Sequence, residues 1–240
     1  EAGLDYTPSG AWAKSLTMTL PRPVSAVVFD MDGLLIDSER LMLEAMQGAA
    51  VAMGRDMPFP VFQSMVGLTH AASDGILIDH FGHGFVLDDY VAEVRARFVE
   101  AHKAGVALKT GVIEMLDHLD AVGAPRAVAT SSRMKSVETH LGHAGLLSRF
   151  DAFITAESVT NGKPHPEPYL KAAAALGLDP RDCIALEDSH NGVRAAAAAG
   201  MMTIMVPDML EPNDEMRGLC VRIAQDLHEV RDLLAVMVRP

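Results

Sequence analysis

The chain has 240 residues, of which 49% are apolar, and its formal net charge is −12 at neutral pH. This length allows one large domain or a domain with a substantial insertion, and the acidic balance argues against a nucleic-acid surface, which needs a basic stripe. No run approaches the ~20 apolar residues of a membrane span, and two cysteines in so long a chain exclude a disulfide scaffold and favour a reducing cytoplasm.

The first twenty residues differ from the rest of the chain. Residues 1–20 contain scattered Gly, Pro, Ser and Thr, and they lack the basic and apolar regions of a secretory signal. We expect a poorly ordered extension here, with a structured arm as the alternative. The β-branched, apolar run 24–29 that follows predicts a buried strand.

A long helical stretch comes next. Apolar residues recur every three to four positions, as one face of a helix requires, and no convincing strand interrupts them. The predicted helices cover residues 38–54, 71–81 and 88–104. We therefore predict that residues 38–108 form a helical domain, inserted into a core made of residues 21–37 and 109–240.

The pattern then changes to alternating strands and helices. The predicted strands are 126–130, 152–155, 183–186 and 201–206. The predicted helices are 111–121, a segment from 135 to Gly142 or Gly145, 168–176, 193–199 and 227–236. Thr110 is the expected N-cap of the first of these helices. Such alternation predicts the α/β class, with a Rossmann-like parallel sheet core and the inserted helical domain.

Polar residues stand at or just after the ends of four predicted strands. They are Asp30 with Asp32, Thr130-Ser131-Ser132, Asn161-Gly162-Lys163-Pro164 and Glu187-Asp188-Ser189. The carboxyl ends of parallel strands share one edge of a sheet, and ligands bind at that edge. The four clusters are therefore expected to meet in one cleft.

The chemistry of these clusters is complementary and suits phosphoryl transfer. Asp30 can attack phosphorus and form an aspartyl-phosphate. Asp32 can protonate the leaving oxygen and then deprotonate the attacking water. The hydroxyl of Thr130 and the fixed cation of Lys163 can bind the phosphate oxygens.

Mg²⁺ is the expected cofactor. Glu187 and Asp188, together with Asp30, offer the hard oxygen ligands that this ion prefers. Without the ion, the carboxylates would face a phosphate dianion at a cost of several kcal/mol, even at an effective dielectric constant of ~20.

The four motifs, in this order, resemble the haloacid dehalogenase-like hydrolase superfamily, in the branch with β-phosphoglucomutase-like phosphatases. They are Asp-Met-Asp-Gly-Leu-Leu-Ile-Asp-Ser-Glu, Ala-Thr-Ser-Ser, Gly-Lys-Pro-x-Pro and Leu-Glu-Asp-Ser-x-x-Gly. The resemblance implies the same roles for the acids, for Thr130 and for Lys163. It also implies that Asp188 binds Mg²⁺ directly, Glu187 often through water, and Asp32 through its backbone carbonyl. The helical insertion matches the family's cap domain.

Two departures from the mutases favour hydrolysis. Mutases of this branch carry a histidine ten residues after the acid/base aspartate, where this chain has Met42, and an arginine in the cap loop, where it has Gly67-Leu68-Thr69-His70. We therefore predict a Mg²⁺-dependent phosphatase of a small phosphorylated metabolite, with a sugar phosphate as one candidate. The alternatives are a sugar phosphomutase and a non-catalytic binding protein of the same fold.

Three residues are weaker candidates for the site. Ser131 is a candidate phosphate contact, although a serine of this run could instead cap the next helix. His70 and Arg133 are candidate substrate contacts, with ordinary surface positions as the alternative. No partner protein is evident from the sequence, and neither nucleic acid nor a membrane is expected.

Overall fold

In the part of the chain that the structure describes, six parallel strands form one sheet. They are β1 (Ala26–Phe29), β2 (Arg126–Ala129), β3 (Ala152–Ile154), β4 (Cys183–Glu187), β5 (Met202–Met205) and β6 (Arg222–Ile223). Their order across the sheet is β3-β2-β1-β4-β5-β6, and every neighbouring pair is parallel. Strands β1, β2, β4 and β5 are buried along their whole length, which explains their mainly apolar sequences. The predicted fold class is confirmed.

The computed structural model describes residues 20–66, 70–103 and 105–235, without the side chains of residues 70, 71 and 103. The predicted extension, apart from Leu20, lies outside the described residues. The helices are α1 (Ser38–Ala52), α2 (Phe59–Met65), α3 (His70–Phe81), α4 (Leu87–Lys103), α5 (Val112–Val122), α6 (Met134–His143), α7 (Glu167–Ala175), α8 (His190–Ala198), α9 (Asp214–Leu219) and α10 (Leu227–Ala235). None of these helices is both long and apolar enough to cross a membrane.

The start of α5 differs from the prediction. Its N-cap is Gly111, which has a φ of 86°, and not Thr110. A Cβ at Gly111 would lie 2.7 Å from the backbone nitrogen of His228, at the start of α10. Glycine is therefore required by both the left-handed backbone and the close approach of α10. The predicted Thr110 cap is wrong.

Two short elements of the core are not predicted by the sequence. Helix α9 has six residues and strand β6 has two, so neither is long enough to show an apolar period. The signal that could have located α9 is Asn213. Its side chain caps the helix by accepting a hydrogen bond from the backbone N–H of Met216 at 2.9 Å.

The chain divides into two compact units. One unit runs to Leu35 and resumes at Leu108, and the other is Ile36–Ala107. The first unit contains the whole sheet with α5 to α10, and the second contains α1 to α4. A backbone hydrogen bond from Lys109 N–H to the carbonyl of Leu35, 3.0 Å long, joins the two segments of the first unit.

The unit Ile36–Ala107 has its own apolar core. Helix α1 packs against α4, where Tyr90 is buried and its hydroxyl donates to the carbonyl of Met46 at 3.0 Å. The rings of Phe81 and Phe85 contact that of Tyr90. The helices also line a cavity of about 460 Å³. Its apolar lining includes Met42, Met46, Phe62, Met65, Leu77 and Phe98.

Candidate active site

Asp30 lies at the carboxyl end of β1, in the middle of the sheet. Strands β2 and β4 pair with the two edges of β1, and the backbone N–H of Asp30 donates to the carbonyl of Leu186 at 3.0 Å. The chain then turns at Gly33, which has a φ of 82°. The Asp30 side chain is therefore held by the backbone at the sheet edge where α/β folds bind ligands.

Lys163 connects the first and fourth motifs. Its Nζ atom lies 2.5 Å from Oδ1 of Asp30 and 2.5 Å from Oε1 of Glu187. The Lys163 side chain is only 6% exposed. Both hydrogen bonds are charge-assisted and largely shielded from water, so they fix the ammonium group between the two carboxylates. The structure thus brings together three of the residues that the sequence predicts for the site.

The pKa values of Asp30 and Lys163 indicate an excess of negative charge around them. Burial raises the pKa of Asp30 to about 7, although the Lys163 cation opposes the rise. The neighbouring carboxylates of Glu187 and Asp32 raise it further. Burial would lower the pKa of Lys163, but Asp30 and Glu187 outweigh this and raise it. The lysine therefore stays charged, and one more cation would favour the ionised form of Asp30.

Glu187 is held by hydrogen-bond donors, most of which the sequence did not predict. It is fully buried, and Oε1 accepts a hydrogen bond from the Tyr169 hydroxyl at 2.6 Å. Oε2 accepts bonds from the backbone N–H and the hydroxyl of Ser189, at 3.1 and 3.0 Å. Both oxygens are thus engaged by protein groups. A buried charge held this well orients Lys163 and, through it, Asp30.

Gly192 makes room for the Glu187 carboxylate. A Cβ at position 192 would lie 1.7 Å from Oε1 of Glu187, so only glycine fits there. This glycine belongs to the Leu-Glu-Asp-Ser-x-x-Gly motif, which was therefore a usable signal. Tyr169 lies in the alanine-rich helix α7, and its sequence context gives no comparable signal.

Three carboxylates form a candidate metal centre. Asp30, Glu187 and Asp188 are buried, and one ligand oxygen from each lies within 4.8 Å of the others. Gly33 leaves space for the third of these, because a Cβ there would lie 2.3 Å from Oδ2 of Asp188. Closely spaced hard oxygen donors, with an excess of negative charge, fit a divalent cation.

The Asp32 carboxylate accepts hydrogen bonds from two hydroxyl groups. Its Oδ2 accepts a hydrogen bond from Ser132 at 2.7 Å and a longer one from Thr130 at 3.4 Å. The backbone N–H of Ser132 in turn donates to the Thr130 hydroxyl at 2.9 Å. Ser131 is exposed, so Ser132 is the serine of this run that reaches Asp32. The predicted phosphate contact by Ser131 stays a prediction.

The comparisons with known proteins agree with this geometry. The sequence profile of the haloacid dehalogenase-like hydrolases matches residues 27–206. The chain belongs to this family of hydrolases. The family predicted from the four motifs is therefore confirmed.

Curated relatives of this haloacid dehalogenase-like hydrolase are named as phosphatases. The "probable pseudouridine-5'-phosphatase" of Drosophila melanogaster is 37% identical over 78% of this chain and 83% of its own length. Hexitol phosphatase B of Escherichia coli is 35% identical, over 82% of this chain and 90% of its own length. These names agree with the phosphatase activity predicted from the sequence.

A solved structure has a similar fold. A haloacid dehalogenase family hydrolase from Deinococcus radiodurans, with bound phosphate and sodium, has a TM-score of 0.79 and 29% sequence identity. The match covers 91% of this chain and 99% of that one. The described fold is therefore that of a hydrolase in this family.

Two weaker candidates for substrate contacts lie at the starts of helices α6 and α3. Arg133 is exposed and stands at the N-cap position of α6. The first N–H of that helix, from Met134, donates to Oε2 of Glu157 at 2.9 Å. This hydrogen bond is the main cause that lowers the pKa of Glu157, and the positive charge of Arg133 lowers that pKa further. His70 begins α3, but its side chain lies outside the described part of the chain. Both substrate contacts stay predictions.

Substitution of Tyr169 tests how much its hydrogen bond to Glu187 contributes to stability. We expect Tyr169→Phe to lower the free energy of unfolding by about 1.5–3 kcal/mol, because it removes a donor from a buried carboxylate. Tyr90→Phe is the matched control, since that hydroxyl is also buried but donates to a neutral carbonyl. It should cost about 0.5–1.5 kcal/mol. Urea unfolding of both variants measures the difference, and equal costs would argue against a charged acceptor at Tyr169.

Proposed function

We propose that this chain is a Mg²⁺-dependent phosphatase that hydrolyses a small phosphorylated metabolite through an aspartyl-phosphate. The observation that carries the proposal is the contact of Lys163 with both Asp30 and Glu187 at the carboxyl edge of the sheet. A carboxylate next to a fixed cation and a cluster of metal-binding oxygens is what phosphoryl transfer requires. The phosphatase names of the relatives support it.

Asp30 and Asp32 carry the two proposed chemical steps. In the first, a carboxylate oxygen of Asp30 bonds to phosphorus, the bond to the leaving oxygen breaks, and Asp32 gives that oxygen its proton. In the second, water attacks phosphorus, its proton passes to Asp32, and the bond between phosphorus and Asp30 breaks. The hydrogen bonds from Ser132 and Thr130 hold the Asp32 carboxylate for these transfers.

The remaining groups bind and neutralise the phosphoryl oxygens. Lys163 supplies a permanent positive charge beside Asp30. Asp30 and Asp188 are proposed as direct ligands of Mg²⁺, because both oxygens of Glu187 already accept protein hydrogen bonds. The bound ion would offset the charge of the acids and of the phosphoryl group.

Substrate choice is proposed to depend on the unit Ile36–Ala107. The core residues described above suit phosphate and metal, so they do not select a leaving group. The inserted unit contains the mainly apolar cavity described above, and its methionines can adapt to different ligand shapes. We also propose a cytoplasmic protein without a nucleic-acid or protein partner. The free thiols of Cys183 and Cys220 support the reducing compartment.

Phosphate release tests the proposed function. We expect the full-length protein to release inorganic phosphate from part of a panel of sugar, polyol and nucleoside monophosphates in the presence of Mg²⁺. Removal of the ion with EDTA should abolish this release, because the acid cluster then lacks its counter-charge. Re-addition of Mg²⁺ should restore it.

The same panel separates the alternatives. A phosphomutase would interconvert sugar phosphates and release little inorganic phosphate, which can be followed by ³¹P NMR. A binding protein would show ligand binding by calorimetry without turnover. Absence of phosphate release across the panel, with Mg²⁺ present, would reject the proposed function.

A further inference from the structure

A second ion pair, whose carboxylate is buried, lies in the same unit as the candidate active site. Nζ of Lys109 is 2.7 Å from Oδ1 of Asp208, although the two residues are 99 positions apart. The side chain of Asp208 is 8% exposed and that of Lys109 is 26% exposed. A carboxylate with so little access to water keeps its charge at low cost only when a cation is close.

This pair lies next to Asp188. The Cβ that Gly33 lacks would be 2.3 Å from Oδ2 of Asp188 and 3.3 Å from Oδ2 of Asp208. The two carboxylates therefore face the same point in space. Because both Oδ2 atoms lie within 3.3 Å of that point, the charge of Asp208 acts strongly on a cation bound at Asp188.

The positive charge of Lys109 offsets the negative potential that Asp208 produces at Asp188. Lys163, the cation of the candidate site, contacts Asp30 and Glu187, whereas Lys109 contacts Asp208. Lys109 is anchored by its backbone hydrogen bond to Leu35, at the end of the first motif's turn. The backbone of Lys109 is thus held in place, and its ammonium group contacts Asp208 from there.

We propose that Lys109 and Asp208 are a positioning pair that sets the affinity of the candidate metal centre, at Asp188, for its divalent cation. The inference rests on the proposed function for the presence of that cation. Neither residue is assigned a contact with substrate or with the reacting atoms. As a pair, they contribute little net charge, whereas either one alone shifts the local potential by one unit of charge.

Opposite charge changes should shift the affinity in opposite directions. In Lys109→Met, the unbalanced Asp208 carboxylate should lower the Mg²⁺ dissociation constant at least ~5-fold. In Asp208→Asn, the unbalanced Lys109 cation should raise it at least ~5-fold. The double variant should return to within ~2-fold of the parent, because both charges are gone. Isothermal titration calorimetry of the full-length protein with MgCl₂ measures all four constants.

Controls separate this role from a merely structural one. Arg194→Met breaks an exposed ion pair with Glu215 and should leave the dissociation constant unchanged. Lys109→Arg keeps the charge and should stay close to the parent. Loss of packing alone would change both single variants in the same direction, or would change neither, and either result would overturn the proposal.

The design also distinguishes failure of the pair from failure of the function. A parent protein that binds no Mg²⁺ would contradict the proposed metal dependence. A parent that binds Mg²⁺, with unshifted constants in both single variants, would contradict only the role of Lys109 and Asp208. If Lys109→Met does not fold by circular dichroism, the isosteric Asp208→Asn variant decides, and an unchanged constant there overturns the proposal.

Discussion

Replacement of Asp30 by asparagine is expected to lower the rate of phosphate release at least ~10⁴-fold. The amide keeps the shape of the side chain but has no anionic oxygen to attack phosphorus. The substitution also weakens the charge-assisted hydrogen bond with Lys163, which is 2.5 Å long in the parent. Inorganic phosphate should be measured at saturating Mg²⁺, so that weaker metal binding does not account for the loss.

A surface substitution provides the matched control for Asp30→Asn. Asp232 lies on α10 with 60% of its side chain exposed, and its ion pair is with the adjacent Arg231. Asp232→Asn should therefore retain the parent rate. Full activity in Asp30→Asn would show that another group attacks phosphorus, and the proposed aspartyl-phosphate would have to be abandoned.

Gly192→Ala should have the largest effect on stability, lowering the free energy of unfolding by about 3–5 kcal/mol. The new methyl group would lie 1.7 Å from Oε1 and 1.8 Å from Cδ of Glu187, so the carboxylate must move. Movement would break its hydrogen bonds to Lys163 and Tyr169 and leave a buried charge without its partners. Urea or thermal unfolding measures the loss, and phosphate release should fall with it.

Gly218→Ala is the control for this substitution. Gly218 is also helical, but a Cβ there would meet no heavy atom within 4 Å. Alanine at an unobstructed helix position is favourable by up to ~1 kcal/mol, so this variant should be as stable as the parent or slightly more so. If the two variants unfolded alike, the fit of Glu187 against Gly192 would not be important for stability.

The central strands and the active-site motifs could be predicted because each has a strong local signal. Strands β1, β2 and β4 are mainly apolar, since both faces of a parallel sheet are covered. Asp30, Lys163 and Glu187 were expected to meet because strand ends share one edge. The structure brings them together, and the family comparison agrees.

Other features depend on contacts between distant segments and leave little local trace. Gly111 replaces the expected Thr110 cap because the start of α10 approaches the backbone there, about 117 positions later. Tyr169 belongs to a helix whose alanines suit packing on the sheet, and only the fold shows that its hydroxyl reaches Glu187. Ser132 and Ser131 are equivalent in sequence, and the direction of the chain after β2 decides which one reaches Asp32.

The contact between Lys163 and Asp30 joins residues 133 positions apart. The two residues follow β1 and β3, which are joined in the sheet through β2, so the contact depends on non-local strand pairing that is slow relative to helix formation. The rate at which phosphate release returns after dilution from denaturant should therefore report when these strands have paired. Far-ultraviolet dichroism, which also follows helices α1 to α10, should recover earlier.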